Sequence, residues 1–151
     1  VFFIRYLRGI GWIIALVLIS GCIQAQEGGV NTPEEVVRNN GPFDQVETFE
    51  TYTLSDDITL VFLRETNKEE RIWVGSTTFN EEKNEWIFGT VVNLRKPTDD
   101  MADVKTMFES GDGYSVGYVK GDTEQLGDVE HIVELDNYQG WKIWVKGSSS
   151  F

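Results

Sequence analysis

The side chains able to do chemistry in this chain are few in kind and scattered in position. Its one histidine, His131, stands in "VEHIVEL", and its one cysteine, Cys22, stands in "LVLISGCIQAQ". A hydrolytic triad needs its histidine beside an activated serine or thiol. No serine here lies in the strand-to-helix turn that exposes a nucleophile. The alternation of His131 with Val129, Val133 and Leu135 predicts instead a half-buried histidine, satisfied by a neighbour, on one face of a strand. Carboxylates occur as Asp56-Asp57, Glu81-Glu82 and Asp99-Asp100, each at a predicted turn or helix start, where acidic side chains have local reasons to be. A glycosidase pair is defined by its separation in space, which only a fold can supply. "ESGDGYSVGYVKGDTE" places Glu109, Asp112 and Asp122 near glycines as a candidate cation site, without the regular ligand spacing of a calcium loop. In "WKIWVK", if Trp141, Ile143 and Val145 face the core, then Lys142, Trp144 and Lys146 share the other face. A tryptophan between two lysines is a candidate surface for a glycan, a peptide or a membrane interface; equally, the second helix could cover Trp144, with the lysine stems running past it. Phosphate-cradling glycine loops, dinucleotide fingerprints and paired metal-ligand histidines are all missing from the sequence, so no cofactor is expected.

The elements that must position these residues read as one domain over 32–147. "NTPEEVVRNNG" predicts a short helix, with Thr32 as N-cap, Pro33 at the first helical position and Glu35 completing a capping box. Gly41 is expected to stop it in the left-handed conformation. Strands are expected in "QVETFETYTL", "DDITLVFLRET", "ERIWVGSTTF", "NEWIFGTVVNL", "YSVGYVK", "VEHIVEL" and "GWKIWVK". Leu60-Val61-Phe62-Leu63 is apolar on both faces and therefore central. Gly75 and Gly89 fall inside the two strands flanking "NEEKNE", where they predict a packing notch under a large aromatic. "PTDDMADVKTMFESGDG" reads as a second helix, capped by Thr98, with Met101, Val104 and Phe108 on one face and glycines to stop it. The expected fold is thus α+β: a mainly antiparallel sheet of about seven strands with two short helices. The last residues, 148–151, read as a frayed tail.

Charge narrows the partners. The chain carries a formal charge of −12, and every one of its 25 acidic residues follows Cys22. Without Arg5 and Arg8, eleven basic groups face those 25, giving −14 for the remainder. Such a field repels nucleic-acid phosphates and anionic lipid headgroups, and it attracts cations or basic partners. A single thiol excludes a disulfide within the chain and a cysteine-based zinc site.

The start of the chain has its own layout. Arg5 and Arg8 form a positive front, Gly9 to Ile19 an apolar run, and Ser20-Gly21 a small pair before Cys22. That run falls within the ~7–15 residues of a secretory signal and short of the ~20 a spanning helix needs. Ile19-Ser20-Gly21-Cys22 resembles the lipobox of bacterial lipoprotein precursors, with isoleucine where leucine is commonest. The resemblance implies a signal peptide over 1–21, cleavage between Gly21 and Cys22, and a diacylglyceryl thioether on Cys22 as the membrane anchor. Residues 22–31 then form a lipidated cysteine and a polar tether. "TPEEVVRNNG" with the aromatic strands after it resembles small lipoproteins of Bacillus-like Gram-positive bacteria, a resemblance that carries no functional residues. The expectation is a lipid-anchored, extracytoplasmic domain binding an envelope protein or wall component without catalysis. The alternative from another class is an envelope hydrolase with a carboxylate acid–base pair, which requires one carboxyl of raised pKa in a cleft.

Overall fold

The computed structural model describes residues 30–111 and 113–147. Helix α1, Pro33–Asn40, has the expected start: the Glu35 N–H donates to Thr32 Oγ1 at 3.2 Å and the Thr32 N–H donates to the Glu35 carboxylate at 3.1 Å. The stop differs from expectation. Gly41 is extended at φ −77°, and the Phe43 ring lies over it, 2.1 Å from where a Cβ would stand.

Strands β1 (Val46–Thr53), β2 (Ile58–Glu65), β3 (Ile72–Asn80) and β4 (Glu85–Asn93) form an antiparallel sheet in sequential order. A second antiparallel sheet contains β5 (Val104–Glu109), β6 (Tyr114–Lys120), β7 (His131–Glu134) and β8 (Trp141–Gly147), in the order β5-β6-β8-β7. Strand alternation explains the layering. Leu60, Phe62, Ile72 and Val74 from the first sheet meet Val116, Tyr118, Val133, Ile143 and Val145 from the second in one core. Val61, Leu63 and Trp73 face the other way and pack under Val37 of α1. The apolar doublets of β2 are thus buried on both faces, and β2 is central, as its composition requires.

Two expectations are corrected. Residues 98–110 are not a second helix. Thr98 closes a single turn, donating to the Asp100 carboxylate and accepting from the Met101 N–H at 3.0 Å, and the chain then enters β5. The local cap signal is real but does not propagate, because β6 has an open edge that β5 pairs with, and Met107 sits in a bulge that turns it and Phe108 onto the core. Gly111 and Gly113 belong to the β5–β6 hairpin, closed by Ser110 and Tyr114, and do not stop a helix. There are accordingly eight strands, one α-helix and a 3₁₀ turn at Glu124–Leu126 among the described residues. The glycine notch is also different. A bulge in β4 sets Gly75 opposite Val91 and leaves Gly89 across from Ser76. Gly75 accepts an aliphatic side chain, Val37, which a Cβ there would meet at 2.4 Å, and not an aromatic ring.

The core holds one polar defect. The Tyr114 hydroxyl is buried without a hydrogen-bond partner of good geometry. Burial pushes its pKa up, only partly offset by the neighbouring Ser76 hydroxyl. An unmatched buried hydroxyl costs free energy that phenylalanine does not. Tyr114→Phe is therefore expected to leave stability unchanged or raise it by up to about 1 kcal/mol, measured by thermal unfolding; a clear loss would show that the hydroxyl is bonded.

Candidate functional site

A cleft lies between the two sheets, on the side bounded by the edge strands β1 and β7. A bulge in β1 between Thr48 and Glu50 turns Phe49 inward, where it packs on Phe62 with centroids 6.4 Å apart. Arg64 stands over the same Phe49 ring at 5.9 Å and is held by the Glu47 carboxylate, its Nε donating at 3.0 Å. The opposite wall comes from Val133, Glu134 and Leu135, and from Asp136 and Tyr138 in the β7–β8 turn. Tyr138 donates from its hydroxyl to the Glu70 carbonyl at 3.4 Å, linking the turn to the β2–β3 loop. The enclosed space is about 350 Å³, near the lower end of what small-ligand sites occupy.

His131 lies behind the cleft residue Glu50. Its Nε2 lies 3.1 Å from Glu50 Oε1, and its ring stacks in parallel on Tyr52 with centroids 4.1 Å apart. The Tyr52 hydroxyl donates to the Glu130 carbonyl at 3.3 Å. The two edge strands are thus latched by a satisfied, half-buried histidine, consistent with the strand pattern around it.

Glu134 pairs with Lys142 at 3.0 Å, Arg64 pairs with Glu47, and Glu50 lies beside the His131 ring. A general acid needs a carboxyl held above its ordinary range. The carboxyls with clear shifts go the other way and lie outside the cleft. Glu65 is lowered by the Arg71 hydrogen bond, against its own burial, with help from Trp73. Asp100 is lowered first by the Thr98 hydroxyl. At Glu34, burial pushes upward but is outweighed by hydrogen bonds from its own backbone, Thr51 and Thr32.

The residues singled out in the sequence are dispersed. Cys22 and Gly21 lie outside the described residues, as does Asp112 of the candidate cation site. Among the described residues no group of three His, Cys, Asp or Glu side chains is placed to hold a metal ion. The "WKIWVK" strand does turn Trp141, Ile143 and Val145 to the core, but Trp144 on the other face is only 4% exposed. Because β8 lies between β6 and β7, the connection through the 3₁₀ turn must cross its outer face, and Leu126, Val129 and Ile132 cover the indole. Lys142 is tied to Glu134, and Lys146 donates to the Leu126 carbonyl with its ammonium 5.7 Å from the Trp144 ring. Of the two readings of "WKIWVK", the covered one holds, with the segment through the 3₁₀ turn and not a second helix as the cover, and Lys142, Trp144 and Lys146 are not an open binding surface. The cleft residues Phe49, Arg64 and Tyr138 were missed by sequence reasoning. Their one local trace is the imperfect alternation of "QVETFETYTL", where the bulge falls.

No family model, curated protein or solved structure matches this chain.

Proposed function

We propose that this chain is a lipid-anchored lipoprotein of the cell envelope, held by a diacylglyceryl thioether on Cys22, whose extracytoplasmic domain binds an envelope protein or wall component and catalyses no reaction. The observation that carries the anchor is Ile19-Ser20-Gly21-Cys22 standing behind a charged front and an apolar run of signal-peptide length. Two acyl chains give lasting attachment where one gives only marginal binding, so a diacylglyceryl group is an adequate anchor by itself. The absence of charge-bearing residues other than Arg5 and Arg8 before Cys22 supports the same reading. For the binding role, support comes from an inter-sheet cleft of ligand size, lined by Phe49, Arg64 and Tyr138, in which Arg64 and Glu134 are ion-paired to neighbours. Cys22→Ser is expected to abolish incorporation of radiolabelled palmitate and to leave the leader uncleaved. A variant processed at the normal size would overturn the anchor.

A further inference from the structure

The point where the tether meets the domain is fixed by one side chain. Asn31 Nδ2 donates to the Trp86 carbonyl at 3.0 Å, and the Trp86 N–H donates to Asn31 Oδ1 at 2.7 Å. An asparagine amide offers one donor edge and one acceptor, as a peptide group does, so Asn31 occupies both backbone groups of an edge-strand residue in β4. The capped start of α1 follows at Thr32. The chain therefore leaves the domain at the β3–β4 hairpin end.

This end carries exposed apolar side chains beside an acidic turn. The exposed large hydrophobic residues among those described are Val30 at 44%, Ile87 at 42% and Val104 at 37%, and the first two belong here. Val30 precedes the Asn31 clamp and Ile87 follows Trp86. Trp86 itself is half-buried and packs on Phe79 with centroids 5.1 Å apart. Trp86 and Ile87 point to opposite faces of an edge strand, so the apolar rim wraps around that edge. Trp73, Trp141 and Trp144 are buried, leaving Trp86 as the partly open indole among the described residues.

The length of chain between Cys22 and Val30 decides what can cover this rim. Eight residues can span at most about 28 Å. Resting on the anchoring reading above, we infer that the hairpin end is a membrane contact, with Val30, Trp86 and Ile87 entering the headgroup region of the bilayer that holds the acyl chains of Cys22. Indole rings favour this zone because one edge is apolar and the N–H is polar. Glu81, Glu82 and Glu85 outnumber Lys83 around the turn, so the contact draws on apolar burial and not on attraction to anionic headgroups. It orients the sandwich with α1 and the hairpin leaving the membrane together.

The test uses the processed protein purified with its anchor and inserted into vesicles of phosphatidylcholine brominated on the acyl chains. Bromine is expected to quench part of the tryptophan fluorescence, and Trp86→Phe to lose most of that quenching. The mass of the N-terminal peptide reports the Cys22 modification separately. Quenching that is absent, or unchanged in Trp86→Phe, with Cys22 lipidated overturns the membrane contact alone. Trp86 shielded from an aqueous quencher yet blind to the bromolipid would assign the rim to a second copy or another protein, and also overturns it. An unmodified thiol overturns the anchoring reading, and the contact with it.

Discussion

Replacing Trp144 with alanine is expected to lower the free energy of unfolding by roughly 3–4 kcal/mol, read from the midpoint and slope of urea unfolding. The indole packs against Val119, Leu126, Val129 and Ile132, and its Nε1–H donates to the Tyr118 carbonyl at 3.1 Å. The alanine variant loses that burial and that bond together. The covering segment is a connection and not a strand, so it can settle partly into the space, which keeps the loss below the largest seen for tryptophan deletions. Gly117 offers an independent check of the same packing. A Cβ at Gly117 would meet the Trp144 ring at 2.7 Å and the Lys105 carbonyl at 2.0 Å. Gly117→Ala should therefore cost about 1–3 kcal/mol by overpacking. Combined with Trp144→Ala its cost should fall, since the ring is gone, but not vanish, because the β5 backbone still obstructs it. A loss under about 1 kcal/mol for Trp144→Ala would mean the indole is exposed after all.

The second large effect is expected at Glu65, a carboxylate only 2% exposed at the end of β2. It accepts from Arg71 Nε at 2.7 Å and from the Trp73 indole N–H at 3.2 Å, while the Arg71 guanidinium lies 5.7 Å from the Trp73 ring centre. Glu65→Ala leaves the buried indole N–H without its acceptor. Arg71 is 38% exposed and can turn to water or to Glu69, so its share of the loss is small. The sum is expected to be roughly 2–3 kcal/mol, below that for breaking a fully buried ion pair. The same geometry sets a pH dependence. The Arg71 hydrogen bond holds the Glu65 carboxyl below the ordinary range, against the opposing effect of burial. A folded pKa below the unfolded one, about 4.3, gives stability that is present in full above that value and lost as pH falls through the folded pKa. The stability gap between the wild type and Glu65→Gln should thus be widest near neutral pH and narrow below about pH 4. Glu34 and Asp100 also lose stabilisation in acid, but they do so equally in both proteins, and the difference isolates Glu65. A gap that stays constant down to pH 2 would show that the carboxylate charge contributes nothing there.

Neither of these clusters was apparent from residue order. Glu65 ends β2, Arg71 lies in the loop after it and Trp73 is in β3, and nothing in "LRETNKEERIWV" says that one of its six charged residues is buried. His131 was better placed for prediction, because its alternation with Val133 and Leu135 identifies its face. Its partner Glu50, in contrast, is 81 residues away in the chain. The cleft was less legible still, since Phe49 enters it only through a bulge that breaks the period of β1.

What the amino-acid order determined by itself was local. The capping box of α1 is complete within four residues, and the seven strands read from alternation are all present. Caps, turns and period-two patterns act over a few residues, so their free energy is set before distant parts of the chain meet. The anchor expectation at Cys22 is equally a property of a linear segment. Tertiary structure decided the rest. It made 104–109 a strand, because an open edge on β6 offered backbone hydrogen bonds that a short helix with one turn of cap could not match. It buried Trp144, because the strand order obliges a connection to cross β8. It filled the Gly75 notch with a valine of α1 and clamped Asn31 to the edge of β4. Each of these joins segments far apart in sequence, where the favoured partner is chosen by what else is left unpaired.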